Sequence, residues 1–143
     1  MRSEVVNRPF AQAQEQLRTA GLRPTRQRLG LARLLFEREH RHVTAEALHG
    51  EALDADMRVS LATVYNTLHQ FVRVGLLREV VVSPGRSYFD TNTGDHHHFF
   101  FEGSGTLADI PTDSVELRRL PAAPGGTRIG RVDVVIRLED DSQ

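Results

Sequence analysis

Ser60-Leu61-Ala62-Thr63-Val64-Tyr65-Asn66-Thr67-Leu68-His69-Gln70-Phe71-Val72-Arg73-Val74, closed by Gly75, is the stretch that decides the fold. Leu61, Val64, Leu68, Phe71 and Val72 recur every three to four residues, which predicts one apolar stripe on a helix. Ser60, Thr63, Asn66, Thr67 and Gln70 fall off the stripe, so the outward face is polar yet nearly uncharged. A solvated helix normally carries acids and bases there, whereas a helix that faces base edges needs hydrogen-bonding side chains. After Gly75 come Leu76 to Val82, a Ser83-Pro84-Gly85 turn and Arg86 to Phe89, read as strand, turn, strand.

Working back towards the N-terminus, three more helices are expected. Pro9 to Ala20 places Phe10, Ala13 and Leu17 at helical spacing, with Gly21 as its C-terminal stop. Pro24-Thr25 opens the next, with Leu29, Ala32, Leu35 and Phe36 as its core stripe. Thr44 caps a third through Leu53, with Ala47 and Leu48 expected inside. Helices followed by a short hairpin make a winged helix-turn-helix.

Charge divides the chain in two. Residues 1–89 hold thirteen arginines against nine acids, a balance of +4, and residues 90–143 hold five against ten, a balance of −5. All basic residues are arginine, which suits bidentate contact with phosphate and guanine. Domains at 1–89 and 90–143 follow as the expectation. There is no cysteine, which excludes disulfides, thiolate zinc sites and cysteine nucleophiles. With no bilayer-length apolar run and no secretory pattern, cytoplasm is the expected compartment and no membrane partner is expected.

The second half reads as strand-rich. Two strands, His98 to Phe101 and Thr106 to Ile110, flank a Gly103-Ser104-Gly105 turn. Thr112 or Asp113 is expected to cap a short helix through Leu120, and Arg128 to Leu138 to form a strand burying Ile129, Val132, Val134 and Ile136. About fifty residues is little for an independent core, so this half is expected to pair with a second copy of itself. The fold class is α+β: an N-terminal winged helix-turn-helix with a small C-terminal α/β dimerisation domain.

His96, His97 and His98 lie between an acidic stretch and Phe99-Phe100-Phe101. In an extended chain, alternate side chains share a face. His96 and His98 therefore point one way, to hold a metal ion or a haem iron, and His97 the other. A polar strand end that happens to be rich in histidine is the plainer alternative.

Four ordered motifs resemble the ferric uptake regulator family across nearly the whole chain: Gly21-Leu22-Arg23-Pro24-Thr25-Arg26-Gln27-Arg28, His42-Val43-Thr44-Ala45-Glu46, Ser60 to Leu68, and His96-His97-His98-Phe99. Within it, Asn66 after Tyr65 is similar to the peroxide regulator and iron response regulator branches. The cysteine-free run Asp95 to Gly103 most resembles the iron response regulators of alphaproteobacteria, which sense haem. The resemblance implies a regulatory metal site at His42, Asp90, His96, His98 and Asp109, for iron(II) or manganese(II). A second, weaker site would use Asp95, His97 and Glu116, but Val132 stands where its late histidine is usual. Phe101 and the Ser104-Gly105 step replace a cysteine pair, so structural zinc is not expected. Without a thiolate, haem would bind through His96, His97 or His98.

These readings converge on an iron-responsive, haem- or iron-sensing homodimer that binds double-stranded operator DNA. Ser60, Thr63, Tyr65 and Asn66 would meet the major groove, with Arg23 and Arg28 on the phosphate backbone or in the minor groove. A peroxide-sensing iron- or manganese-dependent repressor is the alternative. A metal- or haem-dependent enzyme is disfavoured, because no nucleophile triad, phosphate-binding glycine loop or His-Glu-x-x-His pattern occurs.

Overall fold

The computed structural model describes residues 11–141. The chain divides into two compact units, one ending at Thr93 and one beginning at Gly94. The sequence-based boundary fell four residues earlier. Asp90 and Thr91 stay with the first unit because the backbone there is tied down: the Thr91 N–H donates to the Arg41 carbonyl at 3.0 Å, and the Arg41 N–H to the Thr91 hydroxyl at 2.9 Å.

The first unit runs α1 (Ala11–Thr19), α2 (Arg26–Phe36), β1 (His42–Val43), α3 (Ala45–Asp54), α4 (Leu61–Arg73), β2 (Arg78–Ser83) and β3 (Arg86–Asp90). Pro9 and Phe10, expected in the first helix, lie outside the described residues. Side-chain caps set three helix starts. Thr25 accepts from the Arg28 N–H, Thr44 from that of Ala47 and Ser60 from that of Thr63, at 3.2, 3.1 and 3.0 Å.

Leu17, Leu31, Leu35, Leu48, Leu68 and Phe71 are fully buried in a single core. Three positions differ from expectation. Ala47 is exposed, and Ala45, Leu48 and Ala52 make the buried face of α3 instead. On α4, Leu61 is 38% exposed, because it sits on the open first turn, while Thr67 is buried. Thr67 lies three residues after Val64 and four before Phe71, on the same arc of the helix.

The wing has a third strand that periodicity did not reveal. β1 pairs antiparallel with β3, placing His42 opposite Asp90, and β2 flanks β3 on its other side. Gly75 ends α4 at φ +84°, and a Cβ there would meet nothing within 4 Å. Gly75→Ala should therefore cost only backbone strain, about 1 kcal/mol, in a urea melt. A loss above about 3 kcal/mol would mean that the substitution disturbs packing as well.

The second unit is a three-stranded sheet of β4 (His97–Phe101), β5 (Thr106–Ile110) and β6 (Val135–Leu138), in the order β5-β4-β6. β4 and β5 are antiparallel; β4 and β6 are parallel. The helix expected up to Leu120 is a single 3-10 turn, Thr112–Ser114, without a side-chain cap. Leu117 and Leu120 stay exposed, so a helix there would have no face to bury, and short helices without packing are marginal. The last strand begins at Val135 rather than Arg128. Its four residues pair with His98 to Phe101, all of β4 but His97; Ile129 and Ile136 are exposed and Val132 and Val134 only half-buried.

Candidate metal centre and nucleic-acid interface

Two clusters of donor side chains are built separately, one in each unit. In the first, the β1–β3 pairing sets His42 against Asp90, with Nε2 to Oδ2 at 3.3 Å. Asp90 is 1% exposed, and its Oδ1 accepts the Asn92 N–H at 2.9 Å. The guanidinium of Arg41, one residue before β1, is tied to α2 and α3. It donates through Nη1 to Glu51 Oε1 at 2.9 Å and to the Leu34 carbonyl at 3.2 Å.

The hydrogen bond from Arg41 holds the Glu51 carboxyl below its usual pKa, against the opposing effect of burial. A depressed carboxylate stabilises the fold above its unfolded-state pKa, and that contribution is lost as pH falls through the folded-state value. Glu51→Gln should therefore lose stability at about pH 7 and lose less than the wild type does on acidification to about pH 4. Parallel acid losses in denaturant melts of the two proteins would contradict this.

In the second unit, His96 and His98 flank one face of β4's entry, and β5 brings Asp109 opposite His98. Their Nε2 atoms approach the same carboxylate oxygen, Asp109 Oδ1, at 3.4 and 3.5 Å. The ring centroids are 4.5 Å apart. All three candidate donor atoms lie within 4.8 Å of one another. His96 Nδ1 is 2.6 Å from the Gly94 carbonyl; a carbonyl only accepts, so Nδ1 carries the proton. In the neutral ring, the Nε2 lone pair is then the group directed at Asp109. The His96 lone pair faces an anionic oxygen, an arrangement that a cation among the three donor atoms would relieve. The donor set thus fits a metal ion.

His97 does something else. Strand alternation turns it to the opposite face, where its Nδ1 accepts the Val134 N–H at 3.2 Å. The neutral ring therefore keeps its proton on Nε2, and binding iron through Nε2 would require the other tautomer and the loss of that bond. This counts against His97 as an uncommitted haem ligand. The weaker second site also fails to gather: among the described residues, Asp95, His97 and Glu116 form no donor group. The Asp95 carbonyl accepts the Thr112 hydroxyl, and Glu116 lies exposed outside any regular element.

Of the residues expected to meet DNA, Tyr65 and Asn66 lie on the open face of α4 with Leu61 and Ala62. The Tyr65 ring packs beside His69, at a centroid distance of 4.8 Å, and meets the buried Phe89 edge-on at 6.3 Å. These contacts anchor the ring while leaving 38% of the residue exposed. Ser60 is used in the cap, and its hydroxyl donates to the Thr63 hydroxyl at 3.0 Å. Arg23 is exposed, but the half-buried Arg28 points its guanidinium inward. Sequence reasoning missed Arg41, Glu51, Gln70 and the Gly94 carbonyl as supports. The partners of Arg41, Glu51 and Gln70 are brought close by folding, whereas the Gly94 carbonyl is two residues from His96 and is placed by the local backbone.

A model described as the ferric uptake regulator family matches residues 19–134. The peroxide-responsive repressor PerR of Staphylococcus aureus is 37% identical over 106 residues, spanning 73% of this chain and 70% of the relative. Among solved structures, the ferric uptake regulator of Pseudomonas aeruginosa with manganese superposes at a TM-score of 0.69 and 27% identity, covering 90% of this chain and 97% of that one. The Vibrio cholerae ferric uptake regulator superposes at 0.69 with 23% identity, covering 89% and 98%, a likeness of fold.

Proposed function

The chain belongs to the ferric uptake regulator family, a family of metal-responsive transcriptional regulators rather than enzymes, and on that premise we propose that its operator binding is governed by iron(II) or manganese(II). The proposed ligands are His96, His98 and Asp109, with His42 and Asp90 as the further members of the set. Convergence of the two Nε2 atoms on Asp109 carries this reading. Three imidazoles and two carboxylates suit the borderline-to-hard divalent ions, and cysteine-held zinc has no ligands here.

The protein acts as a homodimer in the cytoplasm, paired through its second unit. Phe101, Leu117, Leu120, Ile129 and Ile136 are exposed there, an apolar surface that a second copy would cover. No helix among the described residues is long and apolar enough to cross a membrane.

Untagged protein, titrated with manganese(II) while its affinity for DNA selected from a random library is followed, tests the reading. Affinity should change with occupancy, at one ion per chain. Sequence-specific DNA binding that is the same with and without bound metal would overturn it.

The likeness to a peroxide-responsive repressor favours a second reading of the same cage. In it, iron(II) held by these residues would make one imidazole ligand the target of hydrogen peroxide, one oxygen atom entering the ring and water leaving. A 16 Da gain on a histidine peptide of the iron protein, absent from the manganese protein, distinguishes this from iron sensing alone. Haem sensing would instead use His96, His98 or His97, the last only by leaving Val134, and haemin titration of the same protein tests it.

A further inference from the structure

The sequence places Arg28 on the DNA backbone or in the minor groove, yet its guanidinium is spent inside the first unit. Nε and Nη2 both donate to Gln70 Oε1 on α4, at 3.2 and 3.1 Å. Nη1 donates to the carbonyl of Arg23, at 2.8 Å, in the loop that precedes α2. The fork thus ties that loop to the helix carrying Tyr65 and Asn66. Arg23 is exposed, and it follows Gly21, whose φ of +84° turns the chain out of α1. Gln70, on the polar side of the same helix, is engaged as an acceptor for Arg28.

We propose that Arg28, with Gln70, is a positioning residue for operator binding: it fixes Arg23 relative to the recognition helix, and Arg23 makes the phosphate contact. The inference rests on the DNA-binding reading above. A planar guanidinium can serve two acceptors in different directions at fixed geometry, whereas a lysine ammonium on a flexible stem cannot reproduce the fork. A direct phosphate contact, by contrast, needs only the cation.

The test uses the full-length manganese-loaded protein and a DNA fragment that the wild type selects from a random library. Affinity is measured across salt concentrations for Arg23→Ala, Arg28→Lys, Gln70→Leu and the double variant Arg23→Ala/Arg28→Lys. Arg23→Ala should lower the salt slope by about 0.9 per protomer. Arg28→Lys should lower it similarly although the charge is kept, and the double variant should fall no further than either single one. Gln70→Leu, which removes no charge, should weaken operator binding about five-fold, the worth of one net hydrogen bond. A disturbance of stability alone would shift the melting temperature without moving the salt slope. Full binding by Arg28→Lys, additive slope losses in the double variant, or wild-type affinity in a folded Gln70→Leu protein would each overturn the proposal. A wild type that selects no DNA would instead remove the regulator reading itself.

Discussion

Replacing His98 by alanine should raise the manganese(II) dissociation constant by about two orders of magnitude or more, since even partners behind the ligands are worth ten- to hundred-fold. His98 is 1% exposed, held between Asp109 on one neighbouring strand and Val135 on the other. Its Nε2 lies 3.5 Å from Asp109 Oδ1. DNA affinity should then stop responding to manganese while the apo protein keeps its fold. His97→Ala is the internal control. It lies next in sequence but on the opposite face, so it should loosen the β4–β6 contact through Val134 and leave manganese affinity within a few fold. Equal loss of metal affinity in both variants would remove the face-specific assignment. Retained affinity in His98→Ala would remove the metal centre.

Phe71→Ala should cost about 3–5 kcal/mol in a urea melt, the usual penalty for emptying a buried aromatic site. Phe71 is fully buried at the junction of α4 with the rest of the first unit, its ring centroid 6.1 Å from that of Phe36. A loss of this size is a large fraction of a small domain's stability. DNA binding should fail at every metal load. Tyr65→Ala, on the outer face of the same helix, should stay folded and instead lose discrimination between selected and random DNA. A Phe71→Ala protein less than about 1.5 kcal/mol below the wild type would show that the site collapses around the missing ring. Unchanged discrimination in a folded Tyr65→Ala protein would take α4 out of the reading role.

Local rules marked most of the helical frame in advance. Thr25, Thr44 and Ser60 each announce a helix because a cap is a contact between residues three apart, and the stripe on α4 shows because helical period and core face coincide. The β4–β5 hairpin is legible for the same reason, its strands lying five residues apart around glycines. What failed were elements whose existence depends on a distant partner. The two-residue strand β1 has no period of its own and forms only because β3 comes alongside it. The run up to Leu120 has helical spacing, but its leucines find no surface to cover in this chain. The residues from Arg128 to Val134 alternate, yet β4 extends only one residue, His97, beyond its pairing with β6.

The candidate site divides along the same line. Alternation alone put His96 and His98 on one face and His97 on the other, and the residue types alone pointed to nitrogen and oxygen donors. Strand pairing decided that Asp109 meets His98 and that His42 meets Asp90, because register is set by hydrogen bonds between segments far apart in the chain. The inward turn of Arg28 was likewise decided by tertiary structure. Nothing in its neighbours distinguishes an arginine that will meet phosphate from one whose acceptors, forty-two positions away at Gln70 and five away at Arg23, are assembled only when the helices pack.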